Sequence, residues 1–61
     1  MEEMNSSGIR SQRLQYMLKM KYSGATESQL LDHAITHYGV TNETAKDYTD
    51  TVLRRWKISH G

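Results

Sequence analysis

"HYGVTNETAKDY", residues 37–48, contains the signals that decide how this chain folds. Gly39 lies between the apolar residues Tyr38 and Val40, and glycine adopts the left-handed conformation that ends a helix without a steric penalty from a Cβ atom. Thr41 follows at once, and threonine is a preferred residue at the N-cap of a helix. The stretch therefore predicts that one helix ends and another begins across a link of three residues, 39–41.

The helix before this link has a clear start in "TESQ", residues 26–29. Thr26 at the N-cap and Gln29 three residues later form the spacing of a capping box, in which each side chain accepts from the other residue's backbone N–H. The apolar positions that follow recur at helical spacing and make one broad face. We expect a helix over about residues 27–38 with Leu30, Leu31, Ala34, Ile35 and Tyr38 on that face.

The helix after the link is predicted over about residues 42–57. Glu43 lies in its first turn, where a carboxylate complements the helix dipole, and three cations lie near its end. Its apolar stripe consists of Ala45, Tyr48, Val52, Leu53 and Trp56.

A first helix is predicted over about residues 9–23, with Gly24 just past its end. Its apolar positions are Ile9, Leu14, Met17, Leu18 and Tyr22. The preceding "MEEMNSSG", residues 1–8, has no periodicity and is expected to be flexible. The fold class predicted is therefore an all-α three-helix bundle, with one domain over residues 9–61.

Length and composition limit what such a domain can be. A chain of 61 residues buries only about 60% of the surface that its unfolded form exposes, so its core is small. It has no cysteine, which excludes disulfides and thiolate metal sites. No apolar run approaches the roughly 18 residues of a membrane span. We expect a soluble protein without a membrane partner, located in the cytoplasm or associated with the nucleoid.

The charged residues are unevenly distributed along the chain, although the net charge is only +1. Residues 1–24 carry four basic and two acidic side chains, and residues 25–50 carry one basic and five acidic ones. Residues 51–61 carry three basic side chains and no acidic one. Two basic ends therefore flank an acidic middle, and the two basic ends could straddle a nucleic-acid duplex.

"ESQLLDHAITHYGVTNETAKDYTDTVLRRW", residues 27–56, resembles the helix-turn-helix segment of small tri-helical and winged-helix DNA-binding domains. The shared features are the apolar pair in the second helix, an aromatic residue before the turn glycine, and Gly-Val-Thr across the turn. Ala45 and Tyr48 then point back to the core. "TVLRRWKISHG" looks like the end of a recognition helix that leads towards a wing, so the resemblance implies a vestigial wing or a short strand near Ile58.

The resemblance implies that the chain binds double-stranded DNA, as a small regulator or as an accessory module of a replication or transcription protein. Gly39 would make the tight turn, Val40 would fill the angle between the helices, and Thr41 would cap the third helix and touch a phosphate. Asn42, Thr44 and Lys46 would lie in the part of that helix that enters the major groove. Basic residues from both ends would hold the DNA backbone: Arg10, Arg13, Arg54, Arg55 and Lys57.

Two other binding functions stay open at this point. Glu43, Asp47 and Asp50 make part of the third helix acidic, which favours a protein-interaction module for a basic partner, since helix-turn-helix folds are reused in that way. Exposed tyrosines, with Tyr16 and Tyr22 the foremost candidates, would instead suit single-stranded nucleic acid. The sequence does not determine the oligomeric state.

No motif in the sequence indicates catalysis or a cofactor. There is no glycine-rich phosphate loop and no nucleophile with a base at a defined spacing, so we expect the chain not to be an enzyme. His33 and His37 are four residues apart and could face one metal ion, but a zinc site needs three or four protein ligands. Surface histidines without a metal are the better interpretation.

Overall fold

The computed structural model of the chain describes residues 2–60, and it describes side chains over residues 8–59. It contains three helices: α1 (Glu2–Tyr22), α2 (Glu27–Tyr38) and α3 (Asn42–His60). The all-α three-helix prediction is confirmed, and the bounds of α2 agree with those predicted. None of the described helices is both long and apolar enough to cross a membrane.

The outer ends of α1 and α3 differ from the expected bounds. α1 begins at Glu2, although residues 1–8 were expected to be flexible, and the chain has no proline that would prevent a helix there. α3 continues to His60, so the expected wing or short strand near Ile58 is wrong: residues 2–60 contain no strand. Ile58 is 82% exposed at the end of this helix.

The core is a single cluster to which each helix contributes an apolar stripe. Its members recur three or four residues apart, which places them on one face of each helix. Fully burying a Leu, Met or Val side chain stabilises the fold by roughly 1.5–3 kcal/mol. The buried cluster consists of Leu14 and Met17 from α1, Leu30 and Ala34 from α2, and Ala45, Tyr48 and Val52 from α3.

The predicted helix-end signals are all present. The backbone N–H of Thr26 donates to Oε1 of Gln29 at 2.9 Å, and the N–H of Gln29 donates to Oγ1 of Thr26 at 3.1 Å. Gly39 adopts the left-handed conformation at the end of α2, with φ 66° and ψ 26°. At the start of α3 the N–H of Thr44 donates to Oγ1 of Thr41 at 3.2 Å. These bonds satisfy backbone groups that have no partner within the helix.

The helices are arranged around α3, which packs closely on both α1 and α2, whereas α1 and α2 approach each other least. α1 and α3 run in the same direction, because Arg10 meets Asp47 and Lys21 meets Trp56. α2 runs opposite to α1, since Arg13 packs on Tyr38 and Tyr16 packs on His33. One flank of α2 therefore borders α3 and the other borders α1.

Candidate nucleic-acid interface

The residues that the resemblance placed in the interior of a helix-turn-helix are packed inward. Ala34, Ala45 and Tyr48 are buried in the core, and Tyr38 and Val40 are half-buried against it. Ile35, which was expected on the apolar face of α2, is 36% exposed. The small residue Ala34 is the buried one, so α2 contributes only a methyl group to the core at this level.

The inward stripe of α3 leaves its opposite side in solvent. Successive residues of a helix are turned by about 100°, so side chains three, four and seven apart share a side. We call this surface the α3 face. It consists of Asn42, Glu43, Lys46, Asp47, Asp50 and Arg54, all of which are exposed.

The start of α3 holds Thr41, which the sequence predicted as the cap of this helix, and the three residues predicted to enter the DNA groove. Thr41 is exposed, and its hydroxyl donates to Oγ1 of Thr44 at 3.1 Å while accepting the Thr44 N–H. Thr44 is half-buried and belongs to the cap more than to the α3 face. Asn42 and Lys46 are exposed and free of the core. Of the predicted groove residues, Asn42 and Lys46 are thus the ones that the fold presents to a ligand.

The two arginines in the middle of α1 contact residues of α3. Nη2 of Arg10 lies 3.1 Å from Oδ2 of Asp47, and both side chains are about half exposed or more. Arg13 is half-buried, with its guanidinium 4.8 Å from the ring centre of Tyr38 and its Nη1 donating to the Tyr48 hydroxyl at 3.4 Å. Arg10 therefore borders the α3 face, whereas Arg13 is part of the packing between helices.

The basic residues at the end of α3 are divided between two sides of the helix. Arg54 lies 3.5 Å from Asp50, one turn earlier. Arg54 and Lys57 border a groove of about 320 Å³ together with Lys21 of α1, whose Nζ lies 4.7 Å from the ring centre of Trp56. Arg55 is exposed on another side and does not line this groove. The structure thus adds Lys21 to the predicted set and separates Arg55 from it.

The first turn of α2 borders the α3 face along its other edge. Thr26, Glu27 and Ser28 line an open groove of about 830 Å³ with the first two turns of α3. The N-terminus of a helix carries a partial positive charge, which attracts anions. Four carboxylates and one lysine also line this groove: Glu27, Glu43, Asp47, Asp50 and Lys46.

The two histidines of α2 lie on its other flank, away from the α3 face. Their rings stack on each other with centres 4.4 Å apart, and His33 is half-buried while His37 is exposed. Over the described side chains, no group of three or more His or acidic residues could hold a metal ion. Tyr16 and Tyr22 are 56% and 49% exposed, as the sequence predicted.

Comparison of the chain with protein-family models, with curated proteins and with solved structures finds no match in any of the three.

Proposed function

We propose that this protein binds double-stranded DNA and that α3 is the helix that enters the major groove. The observation that carries this proposal is the orientation of α3. The helix turns Ala45, Tyr48 and Val52 into the core and presents Asn42, Lys46 and Asp47 to solvent. A helix of 19 residues with one side free is an element that fits the width of the major groove.

The side chains on the α3 face include types that read base edges. Asn42 can pair with the N6 and N7 atoms of adenine, and Lys46 can donate to O6 and N7 of guanine. The mixture of donors and acceptors on one exposed helix surface is therefore compatible with sequence-dependent recognition.

The ion pairs of the α3 face reduce the repulsion that its carboxylates would exert on phosphates. Arg10 pairs with Asp47 and Arg54 pairs with Asp50, so two of the three carboxylates on the face have a cation beside them. Glu43, Asp47 and Asp50 are matched in number by Lys46, Arg54 and the adjacent Arg10. With its bordering residues Arg10 and Glu27 the face carries three basic and four acidic side chains, and Lys21 and Lys57 extend it with two further basic ones.

A titration of the protein with a mixed-sequence duplex of about 16 base pairs, followed by backbone-amide NMR at two salt concentrations, tests the proposal. We expect the largest shifts at residues 41–47 and at Lys21, Arg54 and Lys57. Each phosphate contact should contribute about 0.9 to the slope of log K against log salt. Because non-specific binding depends mainly on phosphate contacts, the absence of any shift at low salt would overturn the proposal.

A second function, binding of a basic protein segment, is favoured by one specific observation. The groove of about 830 Å³ between α2 and α3 has four carboxylates and one lysine on its walls. A lysine-rich peptide is the probe that this composition suits, since opposite charges steer association. Substitution of Asp47 by Lys should abolish peptide binding under this alternative, whereas the same substitution should strengthen binding to a duplex.

A further inference from the structure

Beyond the α3 face, the structure contains a cluster of four rings between α1 and α2. The ring of Tyr16 lies almost parallel to that of His33, with centres 5.3 Å apart and planes inclined by 11°. The ring of His33 also stacks on that of His37 at 4.4 Å. The rings of Tyr38 and His33 are nearly perpendicular, with centres 5.1 Å apart. We call Tyr16, His33, His37 and Tyr38 the ring clasp.

The ring clasp joins α1 and α2 at one edge of the bundle. α1 and α2 approach each other less closely than either approaches α3. Tyr16 spans the gap from α1, and a groove of about 460 Å³ lined by the four rings and Met20 runs beside it. The stack of Tyr16 on His33 is therefore a direct link between the two helices at this edge of the bundle.

The charge of the clasp depends on its two imidazoles. Burial lowers the pKa of His33, the neighbouring His37 lowers it further, and Asp32 opposes this by raising it. Burial raises the pKa of the Tyr38 phenol, with smaller contributions from Tyr16 and Tyr48 that raise it and from Arg13 that lowers it. The phenol therefore stays neutral at physiological pH, and His33 is the group whose charge can change the clasp near that pH.

Charged and titratable groups from all three helices lie near His33. Its hydrogen-bond partner is the Tyr38 hydroxyl, 3.3 Å from Nε2. The Arg13 guanidinium of α1, a permanent cation, lies 4.8 Å from the centre of the Tyr38 ring. The titratable and charged groups around His33 are Tyr16 and Arg13 from α1, Asp32, His37 and Tyr38 from α2, and Tyr48 from α3, whose ring meets that of Tyr38 at 6.4 Å.

Protonation would change the balance of these contacts. Two imidazolium rings with centres 4.4 Å apart repel each other, and a charged His33 would share the Tyr38 ring with Arg13. Asp32 supplies one carboxylate against these cations. A half-buried imidazolium also gains by moving into water, where it is solvated.

We propose that the ring clasp is a proton-sensitive latch that holds α1 against α2 while the stacked His33 ring is neutral and releases this edge when that ring is charged. The latch is independent of the α3 face, because it uses the other flank of α2. Release would widen the groove beside Tyr16 and Met20, while the shared core still holds the bundle together.

The test is an NMR titration of the full chain from pH 8 to pH 5 that follows the imidazole signals and the cross-relaxation between the Tyr16 and His33 rings. We expect His33 to titrate below 6.5, the ordinary value for histidine. The Tyr16–His33 cross-peaks should disappear over the same pH range. A midpoint for His33 at or above 6.5, or cross-peaks that persist well below the His33 midpoint, would overturn the proposal.

Two variants should shift the His33 midpoint in opposite directions, and a third serves as their control. His37→Gln removes the neighbouring cation, so the midpoint should rise and the cross-peaks should survive to lower pH. Asp32→Asn removes the group that favours the charged form, so the midpoint should fall. Glu27→Gln is the matched control, since this exposed carboxylate lies at the other end of α2 and should leave the midpoint unchanged. Equal shifts in Asp32→Asn and Glu27→Gln would contradict the proposed local cause.

Discussion

The α3 face and the ring clasp border the two flanks of the same short helix, yet they are built from opposite chemistry. The α3 face holds fully charged side chains in water, joined by pairs such as Arg10–Asp47 that are exposed. The ring clasp holds aromatic rings in contact with one another, of which His33 and Tyr38 are half-buried. Exposed charges respond to salt, whereas half-buried imidazoles respond to pH. The two regions can therefore be perturbed separately, one by salt and the other by pH.

The largest effect should come from Leu30, because both regions depend on the position of α2. Leu30 is fully buried, so Leu30→Ala should reduce the free energy of unfolding by about 2–5 kcal/mol. Typical domains have only about 5–15 kcal/mol in total, so the variant should lose a large share of its stability and unfold at a much lower urea concentration. Urea unfolding followed by circular dichroism measures this loss.

The matched control for Leu30→Ala is Ile58→Ala, since Ile58 is 82% exposed. This control should change the free energy of unfolding by less than about 0.5 kcal/mol. Similar losses in the two variants would contradict the position of the core.

The next largest effect concerns the α3 face alone. Lys46→Gln should weaken duplex binding by about 1–3 kcal/mol if Lys46 contacts a base edge. Lys19→Gln removes the same charge from an exposed position on α1 and should have a smaller effect. Fluorescence anisotropy with a labelled duplex measures both. If the two variants lost the same affinity, only net charge would matter and the assignment of the α3 face would fail.

The cap of α2 provides a test with a smaller expected effect. Thr26→Ala removes one half of the capping box and should reduce the free energy of unfolding by about 1 kcal/mol. Thr36→Ala is the control, because Thr36 is exposed within α2 and alanine has the higher helix propensity. Thermal unfolding distinguishes the variants. Equal destabilisation by both would show that the capping box contributes little.

Because the pKa of His33 is lowered in the folded protein, the free energy of unfolding should depend on pH. The unfolded chain binds a proton at His33 near pH 6.5, while the folded chain binds it only at a lower pH. Between these values the unfolded state holds more protons, so the free energy of unfolding falls as the pH decreases. The stabilisation is complete above about pH 6.5 and is lost as the pH falls through the folded pKa.

Urea unfolding at several pH values between 8 and 5 measures this dependence. His33→Gln should flatten the curve in that window, because glutamine does not titrate. A wild-type free energy of unfolding that stays constant or rises on acidification would contradict the assignment.

The smallest effect should come from the Arg10–Asp47 pair. Both side chains are exposed, and exposed ion pairs contribute about 0–1 kcal/mol. A double-mutant cycle with Arg10→Gln and Asp47→Asn measures the coupling, which should decrease in salt. A coupling that is insensitive to salt would indicate a buried pair instead.

The parts of the fold that follow from local chemistry could be predicted from the sequence. The capping box at Thr26, the left-handed Gly39 and the inward positions of Ala45 and Tyr48 each depend on a few neighbouring residues or on a period of 3.6. The continuation of α3 to His60 was not predicted, because the apolar residue Ile58 was interpreted as part of a strand. Residues 42–60 contain no glycine or proline that would end the helix earlier.

The parts that depend on how the helices pack could not be predicted. Arg10 and Asp47 are 37 residues apart, and their contact requires the particular rotation of α1 on α3. The stack of Tyr16 on His33 likewise depends on the register of α1 against α2. Lys21 joined the candidate site for the same reason, since its nearness to Trp56 is set by the parallel course of α1 and α3. DNA binding itself stays a prediction.

The measurement that tests the central claim most directly is the duplex affinity of Asp47→Asn as a function of salt, compared with that of the wild type. The substitution removes a carboxylate from the α3 face and frees Arg10, which lies 3.1 Å away, to contact a phosphate. We predict tighter binding at low salt and a salt slope that is steeper by about 0.9. Unchanged or weaker duplex binding, together with loss of binding to a lysine-rich peptide, would contradict the DNA proposal and favour the acidic groove as a protein-binding site.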